Sequence, residues 1–508
     1  MGRTLLVWTW AAFALTAQVR QTAYIKASNA EAGDHFGDGG TLDGKGVALS
    51  ADGTTMAVGA PYESAASKGV GADQKDNSLY SSGAVYVFTR AGNNWTQQAY
   101  LKASNPGQSD KFGYAVSLSQ DGNTLAVSAY FEASAAKGVN ANQNDDSIQG
   151  AGAVYVFTRT GTRWTQQAYI KASNTGELGK GEEPTDGDQF GFSIGLSADG
   201  NTLAVGAISE DGGTRGVNGD QNDNTRQSSG AVYVFARAAG AWTQQAYIKA
   251  SNADANDLFG YSVGLSADGN TLAASAFDED SAARTIEGPQ DTGRRGSGAV
   301  YVFTRAGGAI PGAWSQTAFL KAANAEAADS LGYDVAISAD GNTVAAGAAD
   351  EDCLTPGVNP ANCGDDRATD MSVGAVYVFV RAGGTWSQQA FLKPSNPGKE
   401  DWFGSRLALS GDGASLAVGG QLENGGAKGI NGPEDDAAED SGAVYLFTRA
   451  GTMWRQAAYI KAANAQAYAE FGSALSLSRD GALMAIGARS EGAADKLESG
   501  AVYVFGTR

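Results

Sequence analysis

The chain carries one histidine, His35, in 508 residues. That scarcity excludes most Ser-His and Cys-His nucleophile arrangements and histidine-rich metal centres. Cysteine is nearly absent: Cys353 and Cys363 share the stretch CLTPGVNPANC, enough for one local bridge and too few for a disulfide framework. Two buried free thiols are the alternative. Proline is scarce at 10, whereas glycine reaches 70, a balance that suits many short strands joined by turns. No segment keeps a helical period over ten residues, and no apolar run is long enough to span a bilayer. Positive charge is short too: 36 Lys and Arg face 55 Asp and Glu, a net charge of -19. Such a surface repels nucleic-acid phosphates and favours cations or a basic partner.

The N-terminus reads MGRTLLVWTWAAFALTAQ. One arginine precedes an apolar run from Leu5 to Ala17, with small residues at Ala12, Ala14 and Ala17. That layout predicts a signal peptide over residues 1–17 and a secreted or cell-surface protein. An ordinary apolar strand is the alternative. In an oxidising compartment, Cys353 and Cys363 are expected to form a disulfide.

What the chain has in abundance is a repeat. GAVYVF, or GAVYLF, begins at Gly83, Gly152, Gly230, Gly298, Gly374, Gly442 and Gly500. Each unit holds four apolar segments. In the second, FGYAVSLS alternates as a strand does, and Asp121-Gly122 marks a hairpin. TLAVSA follows, then a long polar loop, GAVYVFTR, a short turn and WTQQAYIKA. The third segment is apolar on both sides, Val85 and Val87 against Tyr86 and Phe88. Both faces must be covered by neighbouring units, which radial packing of four-stranded sheets achieves. Solenoid coils of about 20–30 residues and sandwiches of about 100 do not match the period.

The chain opens with only the tail of a unit, VRQTAYIKASN from Val19, and closes with only the head of one, SGAVYVFGTR from Ser499. Joining the two completes a seventh unit and hides two strand edges. The sequence therefore predicts an all-β fold over 19–508. It is a seven-bladed β-propeller of four-stranded antiparallel blades, closed by the N-terminal strand entering the C-terminal blade, with Tyr24 beside Tyr503.

Phe36-Gly37 and Gly59-Ala60-Pro61 occur in the first unit, and Phe-Gly recurs at Phe112, Phe190, Phe259, Phe403 and Phe471. This pattern resembles the FG-GAP repeat of integrin α-subunit propellers and their bacterial relatives. The resemblance implies a seven-bladed extracellular propeller that binds other proteins. The chain departs from that pattern in places. SADGN, SQDGN or SGDGA stands where integrin-type blades carry a DxDxDG calcium loop, so that calcium site is not carried over. Leu331-Gly332 replaces Phe-Gly in the fifth unit, and GGTLDGK is inserted from Gly39.

Alternating strands send the long loops to one face. The loops between second and third segments hold 30 of the 55 acids and 12 Lys or Arg. They are a candidate binding surface for cations or a basic partner, or else a solvated rim. At their roots, Glu follows the second segment in every unit: Glu63, Glu132, Glu210, Glu279, Glu351, Glu423 and Glu491. Asp precedes the first segment at Asp34, Asp110, Asp188, Asp257, Asp329 and Asp401. Counting outward from the Asp-Gly hairpins sets Asp211 opposite Asp188, Asp280 opposite Asp257, and Asp352 opposite Asp329.

Facing like charges are destabilising. A Ca²⁺ ion held by Asp188, Glu210 and Asp211 would resolve the clash. Asp257, Glu279 and Asp280, and Asp329, Glu351 and Asp352, would do the same in the next two units. Asn174, Asn252 and Asn324 would supply further oxygens. The alternative is that these acids cap loops.

A tryptophan recurs once per fourth segment, from Trp95 to Trp454. It reads as blade-edge packing or, secondarily, as a carbohydrate platform. The acids recur in every unit, whereas a catalytic pair would break the repeat, so the chain reads as no enzyme. The sequence predicts a non-catalytic, exported interaction or adhesion module with an unidentified protein or surface ligand. A structural subunit of an extracellular assembly and a carbohydrate-binding lectin are the alternatives.

Overall fold

A computed structural model describes residues 19–38, 44–176, 187–307, 313–361, 363, 371–492 and 497–507. The expected leader, 1–17, lies outside them, as does most of the insertion after Asp38. Seven sheets span 47–101, 116–170, 190–248, 263–320, 331–393, 403–460 and 471–506, the last joined by Arg20–Ile25. Each is antiparallel in chain order, and no helix occurs among the described residues. The first strand of each blade touches the first strands of both neighbours, so seven inner strands close a ring.

The alternating pattern of the third strand places the core. Val85 and Val87 pack towards blade two, with Phe112, Tyr155 and Trp164. Tyr86 and Phe88 pack towards blade seven, with Val502 and Val504. Seven apolar clusters, one at each blade junction, hold the ring. A blade alone would leave two such faces in water, so burial couples every blade to its neighbours.

Ring closure follows the offset termini. Arg20–Ile25 pairs antiparallel with Ala501–Gly506, and Tyr24 stands opposite Tyr503 with ring centroids 5.1 Å apart.

The Phe-Gly and Gly-Ala-Val pairs are where neighbouring backbones touch. The N–H of Phe112 donates to the carbonyl of Ser82 in the preceding blade, and six other units repeat the bond, Phe36 to Ser499 among them. Gly113 has φ +96°, and a Cβ there would lie 2.4 Å from the carbonyl oxygen of Ala84. Only glycine meets both demands.

This contact also bends the first strand, which corrects the expected register. Ile194 pairs with Val205 but Phe190 with Ala207, so two extra residues bulge on the inner strand. Leu331 and Val335 repeat the slip. Asp188 therefore backs onto Ser209, whose N–H donates to its carbonyl, and not onto Asp211. The bulge arises because the glycine turns the strand into the adjacent blade.

The long loop does a second job. In blade two, Val139 bridges to Ile170, and Asn140 donates its N–H to the carbonyl of Tyr169 while its Oδ1 accepts the Tyr169 N–H. The loop thus covers the upper edge of the outer strand. In blade five this contact is a fifth strand, Gly357–Val358. The disulfide between Cys353 and Cys363 lies in the same loop.

Candidate functional site

Each loop-root glutamate is buried against a lysine. The pairs are Glu63–Lys102 at 2.8 Å, Glu132–Lys171 at 2.8 Å, Glu210–Lys249 at 2.6 Å and Glu279–Lys321 at 2.9 Å. Glu351–Lys393 and Glu423–Lys461 follow at 2.6 Å each. The seventh pair joins the two ends of the chain, Lys26 to Glu491 at 2.8 Å. The lysine comes from the end of the outer strand, YIKASN, and the glutamate from the end of the second. Adjacent third-strand pairing brings those ends together.

In blade three Glu210 is fully engaged. Its Oε1 accepts from the Tyr247 hydroxyl at 2.7 Å and from Asn174 Nδ2 at 3.1 Å. Its Oε2 accepts from Lys249 and from the Gly212 N–H at 2.9 Å. Asn174 comes from the preceding blade, and its Oδ1 accepts the Tyr233 hydroxyl at 2.5 Å. The same Asn bridge appears at Asn29, Asn105, Asn252, Asn396 and Asn464. Burial lowers the Lys249 pKa, and the Glu210 charge opposes that shift. A buried ion pair gains little over an apolar pair, but losing one partner strands a charge at about 3–5 kcal/mol.

The aspartates before the first strand take a different role. Asp257 accepts the Asp254 N–H at 2.7 Å, and Asp329 the Glu326 N–H at 2.7 Å. Asp34, Asp110 and Asp401 close the same turn. Burial pushes Asp257 up to about 8 and Asp110 to about 7. Burial raises Asp188 as well, helped by the Glu210 and Asp211 charges.

Asp211, Asp280 and Asp352 cap the return of the long loop. They accept from the N–H of Ser228 at 2.8 Å, Gly296 at 2.8 Å and Met371 at 2.7 Å. Eight of the nine acids expected to converge on cations are thus divided among lysine pairs, turn caps and loop caps. No three His, Cys, Asp or Glu side chains gather in a metal-holding group among the described residues. Asn174 and Asn252 turn their amide nitrogens, not their oxygens, to the glutamates.

The sequence places Asn174 and Asn252 beside these glutamates, but not their role as donors, and it does not point to the lysine and tyrosine partners. Their signal was present: YIKASN or a near copy recurs once for each glutamate. The pairing required knowing that the ends of strands two and four meet.

At the opposite end of six of the seven junctions, arginine and tryptophan form a second clamp. Arg159 lies over Trp164, 5.2 Å from the ring centre, and both donate to Gln98 of the preceding blade. Blades three and six repeat it through Gln167 and Gln389. Trp164 is 2% exposed, and Trp242, Trp314, Trp386 and Trp454 are likewise buried, so these five serve blade packing and offer no open stacking face, while Trp95 is half-buried. The axis is bridged by Lys45 of blade one, 3.1 Å from Asp334 of blade five.

The chemical meaning of the ring is anchorage. Glu63, Glu132, Glu210, Glu351 and Glu423 each accept an N–H from the start of a long loop, so five of the variable loops rise from one repeated anchor.

The FG-GAP repeat family matches residues 95–157, 242–303, 386–447 and 454–505. No curated protein matches the chain. Among solved structures, the Cps50 (Swd1) β-propeller domain of Myceliophteria thermophila is similar at 9% identity and TM-score 0.49, with 96% of this chain and 100% of that one covered. A mitotic checkpoint complex structure is similar at 10% identity and TM-score 0.49, covering 100% of this chain and 99% of that one. With its repeated Phe-Gly contacts and seven closed blades, this chain is an FG-GAP repeat protein.

Proposed function

We propose that the protein is an exported, non-catalytic interaction module that binds a basic protein or surface ligand through its long loops. The carrying observation is the contrast between frame and loops. The frame repeats its side chains blade after blade, while the loops vary and hold nearly all the net charge. Asp73, Asp146 and Asp436 stand exposed on them. A rigid frame under variable loops favours recognition, because little order is lost on binding. The disulfide and the leader-like N-terminus support export.

The test uses the full chain immobilised in native culture fluid, beside a triple Asp73→Asn, Asp146→Asn, Asp436→Asn variant. A ligand retained by the first, released by salt and lost by the triple variant is expected. Equal retention by both proteins overturns the acidic-loop reading.

In place of calcium, we propose that the lysines neutralise the loop-root glutamates. Melting in millimolar calcium and in chelator should then coincide. A rise of several degrees with calcium would restore the cation reading.

A second reading, a lectin, draws on two equivalent rim grooves of about 700 and 630 Å³. Ser104, Asn140 and Gln166 line one; Ser173, Asn218 and Gln244 line the other. The Oε1 atoms of Gln166 and Gln244 are buried with no partner among the described residues. Binding on a glycan array that Gln166→Ala and Gln244→Ala reduce would favour it.

A further inference from the structure

Six blades cover the upper edge of their outer strand with their own long loop, and among the described residues the seventh does not. Blade two shows the full set of contacts. Gly138 donates its N–H to the Ala172 carbonyl and accepts the Lys171 N–H, and Asn140 brackets Tyr169 in the same way. Asn218, Asn359 and Asn431 repeat the bracket on Tyr247, Phe391 and Tyr459; Glu287 does so on Phe319. Blade one uses Gly69 and Gly71 on Lys102 and Tyr100. A β-branched residue lies between in all six: Val70, Val139, Val217, Ile286, Val358 and Ile430.

In blade seven the connection is residues 489–500, about half the length of 130–152 in blade two. Among the described residues, its Glu491 accepts from the Tyr24 hydroxyl at 2.9 Å, but none of its backbone groups bonds to the open edge of Arg20–Ile25. Tyr24 is 45% exposed, whereas its counterparts Tyr169 and Tyr247 are 0% exposed. The backbone N–H and C=O of Tyr24 and the N–H of Lys26 occupy the positions that the other loops satisfy.

We propose that this edge accepts an extended segment of a partner protein, added as a fifth strand to blade seven. Four of the six internal covers share one chemistry that specifies it: Gly, then Val or Ile, then Asn. The glycine and the asparagine both adopt left-handed backbone, φ +79° at Gly138 and +55° at Asn140, conformations those residue types tolerate best. The branched residue stands opposite Ile25, and the asparagine side chain accepts the Tyr24 N–H. A second copy pairing edge to edge fits poorly, because RQTAYI offers neither glycine nor asparagine. The matching segments of this chain are already seated on their own blades. Backbone pairing supplies affinity in such strand addition, and the flanking residues supply register. This surface is independent of the acidic loops, so either reading can fail alone.

The probe is a synthetic peptide of residues 137–143, Lys-Gly-Val-Asn-Ala-Asn-Gln, added at millimolar concentration to the full chain. Amide hydrogen exchange is followed at Tyr24 and Lys26, with Tyr169 and Lys171 as internal references. Without peptide, Tyr24 and Lys26 should exchange at least about tenfold faster than the references. The peptide should slow both by about fivefold or more, and a peptide with proline at the Asn140 place should not. Two results overturn the proposal. One is slow exchange at Tyr24 and Lys26 in the protein alone, whether from residues 1–18 or from a dimer seen in size-exclusion chromatography. The other is no slowing at several millimolar peptide.

Discussion

At the scale of single residues, the lysine of YIKASN carries the strongest expectation. Lys249 is wholly buried beside Glu210, so Lys249→Met leaves an uncompensated carboxylate and should cost about 3–5 kcal/mol in denaturant melts. Adding Glu210→Leu should recover part of that loss, because the stranded charge is then removed. No recovery would mean that the pair acts through packing alone.

The turn aspartates make a pH prediction of definite sign. Burial first, and neighbouring carboxylates next, hold Asp110 and Asp401 at about 7. Burial also leads the shift of Asp257 to about 8, partly opposed by the Asp254 N–H. Each lies above its unfolded value of 3.8. Their contribution to stability is therefore complete below about pH 4 and is lost as pH rises through about 7 to 8. Asp257→Asn keeps an acceptor for the turn but does not titrate. Its stability relative to wild type should improve steadily from pH 5 to pH 8. A difference that does not move with pH would contradict the burial argument.

At the scale of elements, the Phe-Gly turn decides how closely blades approach. Gly113→Ala adds a Cβ 2.4 Å from the Ala84 carbonyl oxygen and strains φ at +96°. The loss should exceed the roughly 1–2 kcal/mol of left-handed strain alone. Gly138 has φ +79° and open space around it, so Gly138→Ala should show that strain alone. Urea melts of the two variants separate steric clash from backbone preference.

The bulge beside this glycine also explains a failed expectation. Counting from the Asp-Gly hairpin treats the first strand as regular, and the approach of the next blade makes it irregular by two residues.

At the scale of the whole molecule, closure distributes burial around the ring. Each junction buries one face of two blades, so opening any junction exposes two. Lys26 and Glu491, from opposite ends of the chain, repeat the ion pair of the other six blades with more exposure, 25% for the Lys26 side chain. Lys26→Met should thus destabilise less than Lys249→Met and more than Lys137→Met, whose exposed side chain forms no ion pair among the described residues. A Lys26→Met melt equal to that of wild type would mean that the N-terminal strand contributes little to the ring.

The sequence by itself determined the blade count, the four-strand unit, the closure and the disulfide partners. These follow from periodicities that repeat seven times, and the apolar alternation of GAVYVF leaves one way to cover both faces. Only the tertiary structure decided the fate of the recurrent acids. Whether Glu210 meets Asp188 or Lys249 depends on a two-residue bulge and on which strand ends share one side of a blade. Neither is encoded in local spacing. The lysines that neutralise the ring stand about forty residues away in sequence, and in one blade at the far end of the chain, Lys26 to Glu491. Charge pairing over such separations is settled by the packing of strands, after the pattern of apolar residues has placed them.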